Sequence, residues 1–176
     1  MMQSQGNRFA GSDIVLYGMF ISVTLVVSYL ESFIPIPFPV PGIKIGLANI
    51  VILWVLYAMN IKAAIIISLL RVIFSGFLFG NLYTMLFSFV GAVLSLAVMI
   101  LLKKVNKFSI IGVSIAGAVC HNTGQIIVAI IVLENSKLGY YLPALIISGV
   151  IFGIVIGIVG GILYKKIKIL QTNVHL

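Results

Sequence analysis

Arg71, His121, Asn122 and Gln125 are the residues of this chain best equipped for chemistry, and all four fall inside long apolar stretches. Polar and ionisable groups in such surroundings are costly and usually face a cavity or a partner. Arg71 sits near the centre of its stretch, too far from either end for easy snorkelling. His121 and Gln125, in GAVCHNTGQ, are four residues apart and share one helix face. Asn49 lies a turn beyond Lys44, just inside the start of the second stretch, while Glu31 and Asn81 lie at or near stretch ends. Two readings stand. In one, these groups form a hydrogen-bonded network that locks helices together, with Arg71 satisfied by carbonyls or by Glu31. In the other, Lys44, Asn49, Arg71, Asn81, His121, Asn122 and Gln125 line a pocket for a negatively charged solute. Lys44, Arg71 and His121 beside one nearby carboxylate leave positive charge that an anionic ligand would match.

Catalysis finds little support in the same residues, and the chain reads as a non-enzyme. Metal ligation needs clustered His, Cys or carboxylates, and Cys120 and His121 are adjacent, hence on different helix faces. No carboxylate pair is available for acid–base work. Phosphoryl chemistry would want acidic magnesium ligands, and the only aspartate is Asp13. Energy coupling is also missing. Asp13, Glu31 and Glu134 all sit at stretch ends, so no carboxylate is placed mid-membrane to relay an ion, and no GxxxxGK[ST] loop binds ATP. If a solute moves uphill, the motor is on another chain and no cofactor is bound here.

The elements that must position these residues are membrane helices. Apolar residues make up 62% of the chain and charged residues 8%, against about 45–50% and 25% in soluble domains. Six apolar stretches follow: Ile14–Leu30, Ile45–Met59, Ala63–Phe79, Leu82–Leu102, Phe108–Leu133 and Leu142–Leu163. A spanning helix needs about 20 mostly apolar residues, so the second stretch is short. The fold class is therefore all-α: a single polytopic domain over 1–176, with a polar tail at 1–13 and a basic tail at 165–176.

Alternating the sides sorts the charges. Arg8, Lys62, Lys103, Lys104, Lys107, Lys165, Lys166 and Lys168 fall on the side of the N-terminus, and Lys44 and Lys137 on the other. The positive-inside rule then puts both termini in the cytoplasm of a multi-pass cell-membrane protein. The net charge of +8 is topological, attracting anionic lipid rather than nucleic acid.

Two further patterns concern packing. Pro35, Pro37, Pro39 and Pro41 alternate with apolar residues ahead of Gly42, and exclude helix from Phe33–Lys44. That segment is either a rigid linker or a lid over an external pocket. Gly149, Gly153, Gly157 and Gly161 share one face of the last span. They let a backbone approach closely, with internal packing favoured over an inter-subunit seam. Gly18 and Ser22 form a weaker small-residue pair on the first span.

The runs YLESFIPIPFPVPGIKIGLANIV, LLRVIFSGFLFG, SFVGAVLSLAVM, GVSIAGAVCHNTGQIIVA and YYLPALIISGVIFGIVIG resemble the Gx transporter family, often labelled heptaprenyl diphosphate synthase component I. GIKIGLAN and HNTGQ are the specific strings. The family is similar in size and topology to the substrate-binding S components of energy-coupling factor transporters. Those six-helix proteins capture a vitamin-like molecule outside, and a transmembrane coupling protein with two ATPases drives its release inside. The resemblance implies an S-component-like bundle, a gating loop over Phe33–Lys44, and partner contact through Gly18 and Ser22. S components typically carry an A-x-x-x-A pattern where this chain has Gly18 and Ser22. The synthase label hints at an isoprenoid or quinone precursor as ligand. It also keeps two alternatives in view: a membrane accessory of a prenyl diphosphate synthase, and a stand-alone secondary transporter.

Overall fold

The structure is a computed structural model that describes the backbone of residues 3–34 and 46–174, and side chains from 14 to 166 within those ranges. Lys44, the prolines from 35 to 41 and Gly42 lie outside the described residues. The described chain is all-helical: α1 Gln3–Ser32, α2 Asn49–Ala58, α3 Ile61–Phe79, α4 Leu82–Val105, α5 Ile110–Val132 and α6 Leu142–Val174, with a 3₁₀ turn at Ser136–Tyr141 before α6. Helix α1 begins at Gln3, so much of the expected polar tail is helical.

Starts and stops follow local chemistry. Asn60, Asn81 and Ser109 cap α3, α4 and α5 by accepting hydrogen bonds from Ala63, Thr84 and Gly112 backbone N–H groups. Asn106 ends α4 in the left-handed conformation, with Lys103 and Lys104 in the last turn.

Among the described residues, five helices are long and apolar enough to cross a membrane; α2 is not. Its ten residues rise about 15 Å, half of a hydrocarbon core about 30 Å thick. The Ile45–Met59 stretch loses its first turn because Gly46 adopts φ +87°, which only glycine takes at little cost. The other end of α2 is tied down: Lys103 Nζ donates to the Leu56 carbonyl and lies 5.2 Å from the Tyr57 ring centroid.

Large side chains face outward. Ile73, Phe74, Phe77, Leu78, Ile147 and Ile151 are exposed, while Ser68, Ser75, Ser88, Ser95 and Ser114 are buried. Such a surface suits lipid, and small polar residues inside allow close helix contact. Two apolar clusters sit at different levels. One gathers Ile52, Leu53, Leu56, Ile67, Met99, Val113 and Ile156 around α2; the other joins Phe87, Ile126, Leu138 and Leu145.

The α6 glycines face α5. A methyl group at Gly149 would stand 3.1 Å from Val119 Cα, at Gly153 2.6 Å from Ile115 Cα, and at Gly157 2.7 Å from Ile111 Cα. Gly161 is looser, 4.0 Å from Ile110 Cγ2. On the opposite side of α5, Gly124 would meet Gly91 Cα of α4 at 3.0 Å.

Candidate functional site

A buried polar group gathers where α2 begins. On α1, Thr24, Ser28 and Glu31 form a buried polar stripe, spaced four and three residues apart. Glu31 is only 2% exposed. Its Oε1 accepts a 2.5 Å hydrogen bond from the Gly46 backbone N–H. Gly46 in turn lies against His121 and Asn49: a methyl group there would be 3.3 Å from His121 Cδ2 and 3.0 Å from Asn49 Nδ2. One residue therefore joins α1, α2 and α5.

Helix α3 adds Arg71, on the face that also buries Ala64, Ile67, Ser68 and Ser75. Arg71 is 5% exposed, and the Glu31 carboxylate is close enough for its charge to act on the guanidinium. Arg71 Nε and Nη2, Glu31 Oε2, Asn49 Nδ2 and Ser28 Oγ have no hydrogen-bond partner among the described residues. Buried polar groups are normally paired, and an unpaired charge is the most costly exception. His121 and Gln125 are buried and engaged by neighbours. Gly91 makes room for them: a methyl there would stand 3.0 Å from His121 Nδ1 and 3.0 Å from Gln125 Cγ.

The residues singled out from sequence thus divide. Asn49, His121 and Gln125 come together at Gly46 and Gly91, with Arg71 joined through Glu31. Asn122 turns to α6, donating to the Leu145 carbonyl at 2.9 Å and to Ser148 Oγ at 3.3 Å. Asn81 is exposed, and its side-chain oxygen accepts from the Thr84 backbone N–H in a reciprocal cap. Glu31 is the residue that sequence reasoning placed at a stretch end and left out of the site. The signal was its i+3 spacing from Ser28, which puts both on the inner face of α1. Gly18 and Ser22 lie on the exposed side of α1, and a methyl at Gly18 would meet nothing within 4 Å.

Chemically, the arrangement offers donors from Arg71 and Asn49 and an acceptor from Glu31, in a site walled by apolar helices. That is equipment for binding. Among the described residues no three His, Cys, Asp or Glu side chains come close enough to hold a metal ion.

No curated protein and no solved structure matches the chain. A family model does match, over residues 20–163, which takes in every helix that contributes to the polar group. The chain belongs to the family described as heptaprenyl diphosphate synthase component I.

Proposed function

We propose that this chain is the substrate-binding subunit of an uptake system, an S-component-like protein that captures a small, partly apolar, anionic solute at the Glu31–Arg71 end of the bundle. The observation that carries this reading is Arg71: a guanidinium 5% exposed at membrane depth, with Nε and Nη2 unpartnered among the described residues. A purely structural arginine would have those donors satisfied.

Orientation follows from the charges. Lys62, Lys103, Lys104, Lys107, Lys165 and Lys166 cluster at the end of the bundle where α2 stops, opposite the Glu31 end. With that end cytoplasmic, the site faces outward, as capture requires. The chain supplies no ATP-binding loop, so a transmembrane coupling protein and two ATPases drive uptake, docking on the exposed Gly18–Ser22 side of α1. The chain itself is neither an enzyme nor cofactor-bound.

Co-purification from native membranes tests this. We expect the coupling protein and the ATPase pair, with solute uptake abolished when the ATPase phosphate loop is inactivated. Uphill uptake in liposomes bearing this chain alone would refute it in favour of a secondary transporter.

One observation favours a second reading. A groove of about 430 Å³ between α1, α2 and α6 is lined by Met19, Val23, Trp54, Met59 and Leu163. It suits an isoprenoid or acyl chain, as a membrane accessory of a prenyl diphosphate synthase would need. A soluble prenyl synthase in the same co-purification, without ATPases, would support that role instead.

A further inference from the structure

Glu31 and Arg71 carry opposite charges, both buried, within electrostatic reach of each other. The simplest outcome would be a direct ion pair that silences both. It does not form through the atoms that remain open: Glu31 Oε2 and Arg71 Nε and Nη2 have no hydrogen-bond partner among the described residues. Glu31 Oε1 accepts from the Gly46 backbone N–H, and Gly46, at φ +87°, lies beside the His121 ring. The carboxylate is thus tied through Oε1 to the segment that precedes α2, while Oε2 stays open.

A solute that satisfies this site must bring an acceptor for Arg71 Nε and Nη2 and a donor for Glu31 Oε2. A simple anion meets only the first demand, and the Glu31 charge would repel it. A simple cation meets only the second, and Arg71 would repel it. We propose that the site takes an amphoteric solute, one molecule carrying both an anionic group, bound by Arg71, and an ammonium or similarly strong N–H donor, bound by Glu31. Asn49 Nδ2, also unpartnered among the described residues and beside Gly46, supplies one more donor to the anionic end. This rests on the binding-subunit reading and replaces its simple anion with a solute that carries the anionic group alongside a cationic one. It also gives Glu31 the role of a specificity determinant: its charge rejects solutes that Arg71 alone would accept.

The test uses the full chain in nanodiscs and three matched probe pools. The first is the common free amino acids, which are amphoteric. The second is the same pool N-acetylated, which keeps the anion and removes the cation. The third is the pool with its carboxyls amidated, which does the reverse. Melting temperature is read for wild type, Glu31→Gln and Arg71→Gln at equal probe concentrations. The Glu31→Gln side chain keeps a carbonyl oxygen for the Gly46 N–H, so the α1–α2 junction survives. We expect the free pool to stabilise wild type most. In Glu31→Gln its advantage should vanish and the N-acetylated pool should become the better ligand, about tenfold or more tighter than in wild type. In Arg71→Gln the amidated pool should win.

If the N-acetylated pool is best for wild type, the amphoteric assignment falls while the anion-binding reading stands. Unchanged preference in Arg71→Gln overturns both. No shift with any pool overturns the amphoteric assignment, and a purely anionic molecule retained by the purified protein would leave the binding-subunit reading intact. The wild-type comparison needs no variant, so a substitution that fails to fold does not shelter the proposal.

Discussion

Lys103 Nζ, in the last turn of α4, donates to the Leu56 carbonyl at the end of α2. The last carbonyls of any helix lack intrahelical partners, and a cation there also meets the negative end of the helix dipole. The contact gives one of the last carbonyls of a ten-residue helix a partner inside a membrane protein.

Replacing that contact should therefore cost stability. Lys103→Met keeps the stem but removes the donor and the cation over Tyr57. We expect a loss of about 1.5–3 kcal/mol, the range for a hydrogen bond to a charged group. Thermal unfolding in a mild detergent checks it, and Lys103→Arg should recover part of the loss.

Gly153→Ala should disturb the fold more than Gly161→Ala. The added methyl at Gly153 meets the Ile115 backbone at 2.6 Å, whereas at Gly161 the nearest atom is 4.0 Å away. Overpacking costs about 1–3 kcal/mol, so the first variant should melt several degrees lower and the second should stay near wild type. Equal melting temperatures would mean that α6 can slide on α5.

Arg71→Gln should weaken solute binding while the bundle stays folded. Losing a charge-assisted contact in a desolvated site costs about 2–5 kcal/mol, roughly a thirtyfold to several-thousandfold drop in affinity. Melting temperature and binding measured on the same preparation separate the alternatives: lowered stability with unchanged affinity would make Arg71 part of the scaffold.

Gly18→Leu and Ser22→Leu should leave binding unchanged and reduce uptake. Both positions lie on the exposed side of α1, and nothing stands within 4 Å of a methyl at Gly18. An effect on uptake without one on binding would place the coupling partner on that side; normal uptake would move it elsewhere.

Topology is checked in a Cys120→Ala background, since Cys120 is the chain's only cysteine. Cysteines placed at Lys104 and Lys137 should react with an impermeant reagent from opposite sides, Lys137→Cys from outside. Labelling of both from one side would contradict the charge map.

Hydropathy and spacing carried much of this architecture. The helical class and six helices were legible because long apolar runs have few alternatives, and the i,i+4 pair of His121 and Gln125 was legible from helix geometry alone. Asn122 and Asn81 were harder. Asparagines inside or beside apolar runs look alike in sequence, and only the structure shows that one amide staples α5 to α6 while the other caps α4. Glu31 was weighed only as a partner for Arg71 and not as a site residue, because hydropathy places it at the end of a span, and end positions suggest water. Its burial comes from the tertiary fold, in which Gly46, just ahead of α2, lies against α1. The shortening of α2 is similar: Leu47 and Ala48 are apolar, so nothing in composition separates turn from helix there.

Helix α5 has glycines pressed against it from two sides, Gly91 of α4 on one and Gly149, Gly153 and Gly157 of α6 on the other. At the α6 glycines backbone meets backbone, so these contacts leave little room to adjust. His121 and Gln125 are consequently set on a fixed wall, and their positions tolerate little adjustment to ligands of different shape. On the binding-subunit reading, selectivity would then be tuned at Glu31, Asn49 and Arg71, which come from α1, α2 and α3. A search for changed ligand preference should randomise those three positions and leave α5 untouched.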